Sequence, residues 1–307
     1  MWRYIVRRVL IMIPVFFGAT FIVYAAVFAI PGDPVRALFG ERPVPEPVLL
    51  AIRDQYNLND PLVIQYVKYM GNVFQGDLGI DFRGRAVSDI IVSAFPVTLR
   101  LALTAFVFMA VIGVVAGVLS ALYKGSVVDN LVRVSTILLV AVPIFVLGYT
   151  AQLLFGVQLG WFPVAGDREG WVSYILPGLV LAAGELAYVS RLTRTSLVEN
   201  LRADYVRTAT AKGLSRGRVV GRHALRNSLI PVVTYLGIAA GTFMIGAIVT
   251  EGIFNLPGVG RAVFQAVLNQ DNAVVVGIVT LLVIIFLLIN LLVDILYAVL
   301  DPRIRYE

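Results

Sequence analysis

Five stretches of this sequence run without a charged side chain for longer than the roughly 20 residues a helix needs to cross the hydrocarbon core of a bilayer. They are Val9 to Ile30, Leu101 to Tyr123, Val134 to Gly166, Asn227 to Thr250 and Asn272 to Val293; a sixth, Trp171 to Ser190, is interrupted only by Glu185. In lipid every backbone polar group must be satisfied within the protein, and blocks of this length do so as helices. The expected fold class is therefore all-α and integral to the membrane. Six transmembrane helices are expected at approximately 9–30, 98–123, 131–156, 171–191, 228–250 and 273–300. Of 307 residues, 59% are apolar and 14% charged, which leaves no room for a large soluble domain; 1–307 reads as one membrane domain. The first block exceeds a signal-peptide core of about 7 to 15 residues and follows Arg3, Arg7 and Arg8, so it is expected to remain as a span.

Several chemistries are excluded at once. There is no cysteine, hence no disulfide and no thiolate metal site, and the single His223 cannot build a histidine cluster. A phosphate-binding Walker loop needs Gly-Lys followed by Ser or Thr. The three lysines, Lys68, Lys124 and Lys212, instead follow Val67, Tyr123 and Ala211. No zinc-protease motif is present, and the one Gly-x-Ser-x-Gly string, Gly213 to Gly217, falls in the basic segment between two expected helices rather than on the strand-to-helix turn a nucleophile elbow needs. The chain is expected to be non-catalytic, with no cofactor or metal of its own.

The net charge of +6 reports orientation rather than nucleic acid. With the amino terminus in the cytoplasm, sixteen basic residues fall at that end and in the short loops and tail on its side. Only Arg168 and Arg261 fall in the short loops opposite. The positive-inside rule then places both termini in the cytoplasm and residues 31–96 in a long external loop. Within that loop, Asp60 is expected to cap a helix with Pro61 at its first position. Its apolar face would comprise Val63, Tyr66, Val67, Met70, Val73 and Phe74. Such a helix covers the bundle, rests on the membrane lipid or docks a partner.

One segment holds nearly all of the positive balance. Between Arg191 and Arg226 there are nine basic residues against Glu199 and Asp204. Asp204 is placed to open a short helix, with its charge at the favourable end of the dipole. Lys212 falls in the last turn, Gly213 at the left-handed C-cap, and Ser215 at the start of a second helix running toward Pro231. A polybasic lipid anchor explains the sign of the charge. It does not explain Thr208, Ala209, Thr210 and Ala211 in a row, which give a slim helix side of the kind that approaches another protein closely.

This segment resembles the cytoplasmic EAA loop of permease subunits in binding-protein-dependent ABC importers. That family's pattern is Glu-Ala-Ala, three residues, Gly, nine residues, Ile, any residue, Leu-Pro. Here it falls on Arg207, Thr208, Ala209, then Gly213, then His223, Leu225 and Arg226. The positions that depart from it, together with Leu214 in "RTATAKGL" and the run "RHALRN", follow the wording of the peptide-transporting branch. "IPGDPV" (30–35), "GDLG" (76–79), "EGIFNLPGVGRAV" (251–263) and "VDILYAVLDPRIR" (293–305) resemble the same branch in the same order, so the likeness spans the chain.

The resemblance implies the type I importer permease fold in a bacterial inner membrane. It implies pairing with a second, homologous permease, and two separate ATPase subunits that hold ATP and magnesium and seat the 191–227 loop. It also implies an extracytoplasmic binding protein that delivers peptides or another small solute. Gly213 would set the turn of the coupling element, and Phe254, Pro257 and Gly258 would serve as external docking or gate positions.

Polar groups inside the apolar blocks are candidates for the translocation path, because ionisable side chains in a membrane face a cavity or a bundle interior. Glu185 with Tyr188 on its face is one pair; snorkelling, or pairing with Arg191 or Arg194, is the structural alternative. Asn290, Asp294 and Tyr297 share one face of the last helix with Asp301. Two other classes stay open on sequence: an ion-gradient secondary transporter, which would use Glu185 and Asp294 as coupling charges, and a scaffold recruiting a cytoplasmic partner through the basic loop.

Overall fold

The computed structural model describes residues 2–28, 45–55, 59–81 and 83–300. Among these, the regular elements are all helices, and one isolated bridge pairs Ile80 with Ala86. The helices are α1 (Trp2–Phe28), α2 (Glu46–Gln55), α3 (Leu62–Val73), α4 (Val87–Leu122), α5 (Val127–Ala141), α6 (Ile144–Gln158) and α7 (Val172–Asn200). There follow α8 (Asp204–Ala211), α9 (Leu225–Ile253), α10 (Val259–Leu268) and α11 (Asn272–Leu300). A wide π-helical turn, Val219–Ala224, and the short turn Arg216–Arg218 extend α9 backward.

Among the described residues, five helices are long and apolar enough to cross a membrane without a break. The block expected as one span over 131–156 is instead the pair α5 and α6, bent by 108°. The cause lies in the sequence: Pro143 has no N–H for the helix ladder and forces Val142 into an extended conformation (φ −86°, ψ 125°). If the pair is one broken span, the total is six.

Helix α7 is the centre. It packs against α4, α5, α6 and α9, and two thirds of its most apolar stretch is buried, whereas α1 is largely open on its outer face. Small residues permit the approach. A Cβ on Gly117 of α4 would lie 2.5 Å from the Ser190 carbonyl oxygen of α7, so only glycine lets the two backbones meet there. The apolar side chains left exposed on α1, α4 and α5, such as Ile22, Val111 and Leu131, suit a lipid-facing surface.

Helix α3 is clamped rather than merely laid down. The Tyr66 hydroxyl meets Thr20 Oγ1 at 2.8 Å and donates to the Phe17 carbonyl at 3.0 Å, and the Tyr69 hydroxyl donates to Thr280 Oγ1 at 3.0 Å. Its buried face is Gln65, Tyr66 and Met70, while Val63, Val67 and Phe74 of the expected apolar face are exposed. Pro61 occupies the N-cap, and the Asp60 carboxylate makes no cap; it pairs with Lys68 at 2.6 Å. A full positive charge within reach outcompetes the backbone amides of the helix start.

Candidate functional site

Helix α8 sits at the end of the bundle where the basic residues gather. Val206 and Ala209 are buried against Ala121 of α4, Leu197 of α7, and Val219 and Ala224 ahead of α9. Its other side, with Tyr205, Arg207 and Thr208, is exposed. Gly213 follows with φ +77°, and nothing lies within 4 Å of where its Cβ would be, so backbone conformation rather than crowding selects glycine there. Leu214 and Leu225 pack on the same cluster, His223 is half-buried and Arg226 exposed. Ala209, expected on a partner-facing side, is therefore spent inside this chain, and Arg207 and Thr208 are what the helix presents. Ser215 takes the N-cap position with extended backbone, but its hydroxyl makes no cap bond.

The support beneath α8 is an ion pair that sequence reading missed. Asp129, at 1% exposure, accepts from Arg194 Nε at 2.8 Å and Arg194 Nη2 at 2.9 Å. Ser120 Oγ donates to the same carboxylate at 2.5 Å and the Gly125 amide at 2.9 Å. One carboxylate thus fastens α4, the turn after it, α5 and α7 together just below the basic segment. The local signal was limited to Asp129 standing three residues after Ser126, a helix-start pattern that marks the carboxylate but not its partner Arg194.

Glu185 lies near the middle of α7, roughly 20 Å of helix from either end. Neither basic neighbour pairs with it: Arg194 is held by Asp129, and Arg191 Nε donates to the Ala187 carbonyl. Instead the Tyr235 hydroxyl of α9 donates to Glu185 Oε2. Tyr188 stacks on Tyr235, with centroids 4.2 Å apart and planes 27° from parallel. Glu185 opens on a cavity of about 580 Å³ at the Pro143 break, whose walls include Leu139, Leu147, Leu181 and Phe243.

At the opposite end, Glu251 closes α9 with no exposed surface. Its carboxylate accepts from Thr98 Oγ1 at 2.6 Å and from the Arg261 amide at 2.9 Å, while Thr98 Oγ1 accepts from the Val259 amide at 2.8 Å. Glu251 and Thr98 thereby satisfy amides at the start of α10. Asn255 takes φ +52° in the turn between the two helices. Phe254 and Gly258, expected as external docking positions, are buried in this arrangement, and Pro257 alone of the three is exposed.

In α11, Asp294 pairs with Arg8 of α1 at 3.1 Å, and Asn290 Nδ2 donates to the Phe286 carbonyl of its own helix at 2.8 Å. The ion pair joins the first helix to the last, whereas the Asn290 bond stays within α11. The Tyr297 side chain and Asp301 lie outside the described residues.

Two family models cover nearly the whole sequence. The description "binding-protein-dependent transport system inner membrane component" matches residues 113–306, and the corresponding membrane-component N-terminal model matches residues 1–102. The chain belongs to this family. It is 40% identical to the di/tripeptide transport system permease protein DppB of Pseudomonas aeruginosa, over 100% of both chains. It is likewise 40% identical to the glutathione transport system permease protein GsiC of Escherichia coli O6:H1, again over 100% of both. Among solved structures, a chain of the MetNI methionine ABC transporter in inward-facing conformations superposes with a TM-score of 0.58 at 20% identity. That superposition covers 69% of this chain and 96% of that one.

Within this family of inner-membrane transport components the geometry acquires an internal logic. The 113–306 segment contains the basic α8 loop, Glu185 and Glu251; the 1–102 segment contributes α1, α3 and Thr98. The Thr98 to Glu251 hydrogen bond therefore joins the two family segments across the buried start of α10.

Proposed function

We propose that this chain is the permease subunit of an ABC importer that carries di- or oligopeptides, or a solute of similar size, across the membrane. Its partners are a second, homologous permease, two ATPase subunits that bind ATP and magnesium on the cytoplasmic side, and an extracytoplasmic binding protein that hands over the cargo. Both termini are cytoplasmic, so α8 and Gly213 face the ATPases, and α3 with the 254–258 turn lies on the outer side. The observation that carries this reading is the α8 to Gly213 element. It is seated by its buried Val206 and Ala209 on the ends of α4, α7 and α9, with Arg207 and Thr208 turned outward. Full-length identity to peptide and glutathione permeases supports the cargo class.

A movement of α8 pushed by a closing ATPase pair would pass through the Asp129 to Arg194 clamp into α5 and α7, the helices that border the Glu185 cavity. The test is reconstitution of the chain with its second permease and ATPase subunits in liposomes. Loaded binding protein should stimulate ATP hydrolysis. Ion-gradient-driven uptake by this chain alone would overturn the reading in favour of a secondary transporter.

A further inference from the structure

The cavity at the Pro143 break is apolar apart from two side chains, Glu185 and Thr242. A carboxylate in such a place is costly unless something compensates it. Among the described residues no lysine or arginine of this chain does so: the Tyr235 hydroxyl is its one hydrogen-bond donor, and one neutral donor leaves most of a carboxylate's acceptor capacity open. The Tyr235 ring is stacked on Tyr188, and Tyr188 is 47% exposed, so an exposed aromatic face stands next to the hydrogen-bonded Tyr235 and Glu185 pair, at the margin of the cavity rather than in its walls. An anion held rigidly next to an aromatic face is the chemistry that recognises an organic ammonium, through a charge-assisted hydrogen bond and a cation–π contact.

We propose that Glu185, positioned by Tyr235 and flanked by Tyr188, is the cargo-selective point of the path and takes the free α-ammonium group of a peptide in transit. This assignment rests on the peptide-importer reading above. The surrounding walls contribute no further charge, so side chains of varied character pass while the amino terminus, common to all unmodified peptides, is held.

The experiment uses the complete complex in proteoliposomes, supplied with trialanine or N-acetyltrialanine at concentrations that saturate the binding protein. The wild-type complex should import trialanine about tenfold faster than the acetylated form, the scale of one charge-assisted hydrogen bond. Glu185→Gln should bring the ratio close to one, Glu185→Asp should retain most of it, and Tyr235→Phe should give an intermediate value. A ratio unchanged by Glu185→Gln overturns the assignment. Loss of the second permease from purified Glu185→Gln complexes also overturns it, because the carboxylate would then be pairing across the subunit interface. A wild-type complex that imports neither peptide while hydrolysing ATP overturns the peptide reading itself.

Discussion

A Cβ on Gly258 would lie 2.3 Å from the carboxylate oxygen Oε1 of Glu251. The carboxylate has nowhere to retreat, since it is fully buried and bonded to Thr98 and the Arg261 amide. Gly258→Ala should therefore push Glu251 off the start of α10 and leave buried polar groups unsatisfied. A loss of about 2 to 4 kcal/mol is expected, read as a lower thermal midpoint of the purified protein. Gly252→Ala, in the last turn of α9 where no atom crowds a Cβ, should leave that midpoint unchanged or higher.

Gly213 is a case of conformation without crowding. Gly213→Val forces a β-branched residue into φ +77° at a cost of roughly 1 to 3 kcal/mol, concentrated in the α8 turn. The complex should assemble, but ATP hydrolysis should lose most of its stimulation by loaded binding protein. Gly213→Asn, which tolerates the left-handed region, should retain it. Equal behaviour of the two variants in a proteoliposome ATPase assay would show that the turn conformation is immaterial.

The Asp129 to Arg194 pair should be worth more together than its parts. Asp129→Asn leaves a largely buried guanidinium facing a neutral amide, and about 2 to 3 kcal/mol of destabilisation is expected. The double variant with Arg194→Met should recover part of that loss, with a coupling of about 1 to 3 kcal/mol in a double-mutant cycle. Strict additivity of the two single effects on thermal midpoint would contradict the clamp.

On the opposite side, Asp81 predicts an acid-sensitive loop. Burial alone would raise its carboxyl, but hydrogen bonds from the Arg85 and Arg83 amides and the Arg85 side chain outweigh burial and hold it below the ordinary 3.8. A lowered folded-state value stabilises above the unfolded value and is lost as pH falls through the folded one. Protease cleavage within 77–86 should therefore be slow from neutral pH down to about 4 and accelerate below it. Asp81→Asn should be cleaved faster at neutral pH and show little acceleration in acid.

How much of this was legible depends on whether a residue's partner is near it in sequence. Gly213 was, because the helix it ends, Asp204 to Ala211, and the turn it makes are local. Pro143 was also visible in its apolar block, but a hydropathy reading runs through it and draws one span where backbone chemistry makes two helices. The partnerships of Thr98 with Glu251, of Asp129 with Arg194 and of Glu185 with Tyr235 were not legible, since each joins helices 50 or more residues apart. Local capping rules also overreached: Asp60 and Ser215 stand where caps belong, yet one is drawn to Lys68 and the other makes no cap bond. Phe254 and Gly258, expected as external docking or gate positions, are buried around the carboxylate of Glu251, a contact that the motif's wording does not reveal.

The central claim is that α8 meets a separate ATPase through its exposed side. The sequence has no cysteine, so one introduced thiol reports one position. In the assembled transporter, with a cysteine placed on the facing surface of the ATPase subunit, Thr208→Cys should cross-link to that subunit. Ala209→Cys, buried against α4 and α7, should not. Failure of the Thr208→Cys chain to cross-link in a complex that still transports would contradict the account.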